Sequence, residues 1–236
     1  MDTIQLTEEL MVFAGIRIDS YDYSNNTNGR NGEALYAFDD TLVNGHLGVV
    51  YEVVDDINLY ASYGTASNIN GGESDVGGNC GYGGVCTDSD GNAAADPENV
   101  QNIEIGSKMS LIDESLFVQI AAFKLTKDDV MEGSGRGYDV TGALNTGKNE
   151  VTGVEVAVNG QVTENLSIQI NGAVMDSEIL ESASSPDSVG LPLALFANKS
   201  FYAQARYQLT EDFAFGGDFT YKDKMTGGQP DTGSNG

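Results

Sequence analysis

The sequence has no tryptophan, 4 prolines, one histidine and few cations. Its 11 lysines and arginines face 36 aspartates and glutamates, a formal net charge of −25. Such a charge excludes a nucleic-acid binder, because a phosphate backbone would be repelled. It fits a solvated acidic surface, or a surface or lumen that attracts cations. With His46 the lone histidine and only Cys80 and Cys86 as thiols, no zinc ligand set can be assembled. No apolar run reaches the roughly 18 residues of a spanning helix. No Gly-x-Ser-x-Gly or phosphate-loop pattern is present, so the chain reads as a non-enzyme without a cofactor. Acidic pairs such as Asp128-Asp129 sit at strand ends and read as solvated rather than as acid/base partners. The start, Met1-Asp2-Thr3-Ile4-Gln5-Leu6, lacks the basic region and apolar core of a secretion signal. That suits a cytoplasmic protein or a chain without its own N-terminal part.

What is abundant is glycine (30), tyrosine (11) and phenylalanine (9), which suits an all-β chain with polar connections. Period-two alternation recurs throughout. It is clearest over 11–19, 57–65, 151–158, 166–174, 201–209 and 213–221, and less clean over 47–54, 102–109 and 116–125. In Phe201–Leu209, for example, Phe201, Ala203, Ala205, Tyr207 and Leu209 oppose Tyr202, Gln204, Arg206 and Gln208. Each run approaches the roughly 9–11 residues of a tilted membrane strand. Five tight acidic connections occur at intervals of roughly 50 residues: Thr7-Glu8-Glu9, Val54-Asp55-Asp56, Ile112-Asp113-Glu114, Val162-Thr163-Glu164-Asn165 and Thr210-Glu211-Asp212. Between them, segments rich in Gly, Asn, Ser and Asp predict long connections over about 20–44, 66–99, 127–149 and 177–198, with another from near Asp223.

Strict alternation of short and long connections is the plan of an outer-membrane barrel, an antiparallel meander of about nine to ten strands. The face opposite the apolar one carries Arg17, Asn58, Glu104, Lys108, Gln119, Glu155, Gln169, Asn171, Gln204, Arg206 and Asp218. In a barrel these line a wet lumen; in a soluble sandwich the same residues face solvent and the apolar face turns inward. Tyr51, Tyr63, Phe123, Phe201, Tyr207, Phe213 and Tyr221 form interfacial girdles in the first case and core aromatics in the second. Cys80 and Cys86, in a glycine-rich stretch, read as a disulfide of an oxidising compartment, with two free thiols as the alternative. Asp88-Ser89-Asp90-Gly91-Asn92 clusters hard oxygens as a calcium loop does, but its glycine is two positions early. An acidic turn is the plainer reading.

Several segments resemble the barrel of TonB-dependent receptors, in particular their siderophore branch. Leu10-Met11-Val12-Phe13-Ala14-Gly15-Ile16-Arg17-Ile18-Asp19 resembles a strand of that family ending in Gly-x-Arg-x-Asp. Gly48-Val49-Val50-Tyr51 followed by Asn58-Leu59-Tyr60-Ala61-Ser62-Tyr63-Gly64 is similar to its next hairpin. Pro97-Glu98 with Glu104-Ile105-Gly106-Ser107-Lys108, Ala121-Ala122-Phe123-Lys124 and Gly153-Val154-Glu155 follow in the family's order. In Gly190-Leu191-Pro192-Leu193-Ala194-Leu195-Phe196-Ala197 the proline stands early.

The resemblance implies import across the outer membrane, with loops at the cell exterior and tight turns at the periplasmic rim. The expected cargo is a ferric siderophore, and TonB would act through a plug domain that this chain does not include. Residues 1–6 read as a strand tail and 227–236 as a loop without a return strand, so residues 1–236 are expected to be part of a barrel that lacks its plug and final strands. For an anionic chelate the candidate contacts are Arg136 and Tyr138, Tyr82 beside the cysteines, and lumen-side Arg206. Rival expectations are a receptor for an oligosaccharide or another metal chelate, and a secreted soluble β-sandwich or adhesin.

Overall fold

The computed structural model describes residues 2–29, 32–68, 97–133, 143–183 and 185–225. These residues form one antiparallel sheet in which every strand pairs with its neighbours in sequence. The strands are β1 (Asp2–Gln5), β2 (Leu10–Gly29), β3 (Gly32–Val54), β4 (Ile57–Asn68), β5 (Glu98–Leu111), β6 (Leu116–Gly133), β7 (Ala143–Thr163), β8 (Leu166–Glu181), β9 (Lys199–Thr210) and β10 (Phe213–Lys222). A single sheet of ten strands, with no second layer among the described residues, rules out the sandwich alternative.

All five tight turns fall at one end of the sheet, where the sequence places them. Three close by the same device. A threonine hydroxyl accepts the backbone N–H three residues on: Leu10 N to Thr7 Oγ1 at 3.0 Å, Leu166 N to Thr163 Oγ1 at 3.1 Å, and Phe213 N to Thr210 Oγ1 at 3.1 Å. The side chain thus supplies the acceptor that a turn lacks. At the β3–β4 turn Asp56 takes φ 68°, a left-handed conformation that Asp tolerates.

Cross-strand partners share a face, so register fixes the two surfaces. One ladder runs Ile4, Val12, Val49, Ala61, Ile105, Ala122, Val154, Val174. Its neighbour runs Leu10, Tyr51, Leu59, Ser107, Ile120, Val156, Gly172, Phe201, Tyr221. Most of these apolar side chains are solvent-exposed, Ile105 at 62% and Val154 at 52%, and the rest are half-buried, so the apolar face has no second layer to pack against among the described residues. Of the aromatics expected on it, Tyr51, Tyr207 and Phe213 lie towards the short turns, and Phe201 and Tyr221 towards the other end. Phe123 is a correction. It pairs with Glu104 and Gly153 on the polar face, because its place in the alternation differs by one from its apolar neighbours.

The segments expected as long connections are partly strand. Residues 20–29 and 32–44 are paired strand, Ser20 with Thr41 out to Gly29 with Gly32. β6 runs on to Gly133 and β8 to Glu181. Polar sequence does not prevent pairing here, because the ladder bonds come from the backbone and need no apolar alternation. The connection after β8 folds back on that strand. Ile179 N donates to Leu191 O at 3.0 Å, Gly190 N to Ile179 O at 2.8 Å, and Leu193 N to Ser177 Oγ at 3.1 Å. Ile179 is left 1% exposed beneath it.

Candidate functional site on the polar wall

The polar face holds its side chains in place through glycines. Phe13 stands opposite Gly48, Tyr60 opposite Gly106 and Phe123 opposite Gly153. A Cβ on Gly106 would come within 2.7 Å of the Tyr60 ring, and one on Gly153 within 2.9 Å of Phe123. Each aromatic ring therefore lies across its partner strand where a side chain is missing.

Tyr60 anchors a network on this surface. Its hydroxyl donates to Glu104 Oε1 at 2.5 Å and accepts from Gln119 Nε2 at 3.2 Å. The Lys108 ammonium stands 5.1 Å from the ring centroid, within cation–π range. Beyond Gln119 the wall hollows into a concavity of ≈ 400 Å³ lined on this face by Glu155, Asn171, Tyr202, Thr220 and Lys222. The surface offers donors, acceptors and both signs of charge. No group of three or more potential metal ligands occurs among the described residues. Removing the Tyr60 hydroxyl strands a carboxylate and an amide at a half-buried, wettable site. Tyr60→Phe is expected to lower unfolding free energy by about 1 kcal/mol, measured by urea denaturation of the vesicle-embedded protein.

Three lysines of β6 and β7 are held by carboxylates. Lys127 pairs with Glu98 at 2.7 Å and Lys148 with Asp128 at 2.8 Å, while Lys124 pairs with Glu150 at 2.7 Å. The hydrogen bond and charge of Asp128 raise Lys148 above the ordinary lysine value, so it stays protonated.

Arg206 is on the polar face as expected, paired with Ser167 and Gly216, and its Nη2 donates to Gln208 Oε1 at 3.1 Å. It stands close to the β9–β10 turn, at the end away from the long connections. Arg136, Tyr138, Tyr82, the Cys80–Cys86 pair and the Asp88–Asn92 loop lie outside the described residues. The structure adds Tyr60, Tyr202 and Lys222, which sequence reasoning did not single out. Only register distinguishes them from any other strand residue: it sets Gly106 opposite Tyr60 and brings Tyr202 and Lys222 to one concavity.

The whole chain, residues 1–236, matches the model of the family described as TonB dependent receptor-like, beta-barrel. The chain belongs to this family. It is 30% identical over 235 residues to the probable TonB-dependent receptor BfrD of Bordetella pertussis, covering 96% of this chain and 30% of the relative. It is 27% identical over 188 residues to the probable TonB-dependent siderophore receptor PiuA of Acinetobacter baumannii, covering 78% of this chain and 24% of PiuA. The crystal structure of PiuA superposes with a TM-score of 0.82 at 21% identity, over 98% of this chain and 33% of that one. That of the ferric-catecholate import receptor Fiu of E. coli K12 gives 0.74 at 21% identity, over 97% of this chain and 35% of the other. At such identity the structural likeness establishes the fold. The chain thus spans about a third or less of each relative. In an outer-membrane barrel of the TonB-dependent receptor type, the apolar ladders meet lipid and the Tyr60 face lines the interior.

Proposed function

We propose that the chain is part of the barrel wall of an outer-membrane receptor that imports a ferric siderophore, energised by TonB through a plug domain that this chain does not include. The family match over all 236 residues carries this reading. The names of PiuA, a siderophore receptor, and Fiu, a ferric-catecholate import receptor, favour an iron chelate over an oligosaccharide. In this reading the long connections face the cell exterior and the threonine-closed turns the periplasm. Capture falls to the connections, with Arg136, Tyr138 and Tyr82 as the contacts and a Cys80–Cys86 disulfide bracing the loop that bears Tyr82. Arg206, low on the wall, would meet cargo only during passage. The Tyr60 network and the Glu155–Lys222 concavity give the interior a hydrated lining with which a plug can hydrogen-bond.

Deleting the gene should abolish growth on at least one ferric siderophore as sole iron source in iron-limited medium, and loss of TonB should do the same. Unchanged growth on a full siderophore panel, with loss on an oligosaccharide, would overturn the cargo assignment. A protein that does not fractionate with outer membranes or shift on gels when heated would overturn the whole reading.

A further inference from the structure

The lipid-facing side of β7–β10 is not evenly filled. Gly172 of β8 stands in register between Val156 of β7 and Phe201 of β9. It floors a hollow of ≈ 400 Å³ walled on this face by Val154, Val156, Val174, Phe201 and Tyr221. Crowding does not demand glycine here. A Cβ at 172 would meet Phe201 Cδ2 at 3.5 Å and Val156 Cγ1 at 3.6 Å, ordinary contacts, and φ is outside the left-handed region. The space is open, apolar and on the face that meets acyl chains.

Lys199 stands at the rim of this hollow. It pairs with Val174 and shares the face of Phe201. Unlike Lys124, Lys127 and Lys148, it forms no ion pair among the described residues. The carboxylates nearest in register are Asp176, two residues along from Val174, and Asp223. Asp223 N donates to Lys199 O at 2.9 Å, and Asp223 Oδ1 accepts the Lys224 N–H at 2.8 Å. Depth adds a second constraint. Lys199 opens the 12-residue strand β9, whose other end is at a short turn. At about 3.3 Å rise per residue and a tilt of roughly 35–45°, that strand climbs roughly 26–30 Å, against an apolar band roughly 25 Å tall. The ammonium therefore reaches headgroup level in the leaflet away from the short turns, with the hollow just below it.

We propose that Gly172, Phe201, Tyr221 and Lys199 form a seat for one anionic, phosphate-bearing lipid, its acyl chain in the hollow and its phosphate on the lysine. The proposal rests on the outer-membrane reading above, and its test separates the two. The whole protein is extracted in mild detergent, stripped of native lipid and offered diphosphorylated lipid A, phosphatidylglycerol, phosphatidylethanolamine or inorganic phosphate. Native mass spectrometry then counts what stays bound. Wild type should retain one molecule of either anionic lipid and no inorganic phosphate. Lys199→Ala should lower anionic-lipid retention about fivefold while leaving phosphatidylethanolamine unchanged, and Lys199→Arg should restore it. Gly172→Leu, which fills the floor, should lower retention of all three lipids. Equal retention by wild type and by correctly heat-shifting Lys199→Ala and Gly172→Leu variants would overturn the seat alone. So would binding of inorganic phosphate without lipid. Wild type absent from the outer membrane would instead overturn the reading beneath it.

Discussion

Ile105→Arg is expected to lower the unfolding free energy of the vesicle-embedded barrel by about 2–4 kcal/mol, the cost of a cation near mid-bilayer on a barrel's lipid face. Ile105 is 62% exposed and sits within the apolar ladder, between Ala61 and Ala122, so an arginine there has no protein partner and must leave water for hydrocarbon. The matched control is Asn159→Arg. Asn159 pairs with Phe117 and Gln169 on the opposite face, where the new charge stays hydrated and the change should remain within about 1 kcal/mol. Urea titration of both variants in vesicles reads the difference directly. Equal costs would mean that the two faces see the same medium.

The second large effect is expected at Gly160→Ala, one methyl group on a strand whose neighbouring glycine, Gly153, pairs regularly. Gly160 takes φ 137°, which L side chains rarely adopt. Ser115 O accepts the Gln161 N–H at 2.7 Å, and this places the carbonyl 2.1 Å from where the Cβ would be. Nothing flexible can yield, since the obstacle is backbone. Backbone strain of about 1–3 kcal/mol and overpacking of similar size act together, so a loss of about 3 kcal/mol or more is expected. It should appear as a lower urea midpoint and a reduced fraction of heat-shifting protein. By contrast, Gly190 also has a positive φ, 85°, but nothing within 4 Å, so its alanine variant meets the backbone term alone.

How far the sequence reaches is visible in these same residues. Alternation at Phe201–Leu209 and acidic turns such as Thr210-Glu211-Asp212 are local patterns, and both survive in the structure because a single sheet with one lipid face imposes them on every strand. The extension of β2 to Gly29 and of β3 back to Gly32 was not legible. Its Asn, Asp, Ser and Thr carry no apolar period, and the backbone ladder that pairs them has no residue preference strong enough to read. The Tyr60–Glu104–Gln119 network was legible as polar residues on one face but not as a cluster. It joins positions up to 59 apart in sequence through two strand registers, and a one-residue slip would disperse it. Phe123 shows the same limit from the other side, since hydrophobicity alone assigned it to the wrong surface.

The bonds that tie residues 190–193 to the far end of β8, two between backbones and one to the Ser177 hydroxyl, give that part of the rim a fixed outline. A border pinned by Leu191 and Gly190 to Ile179 cannot swing clear without breaking paired amides and uncovering an isoleucine. If this end of the sheet is the entrance of the proposed receptor, this flank is a rigid sill there, and a molecule passing it would be selected by width.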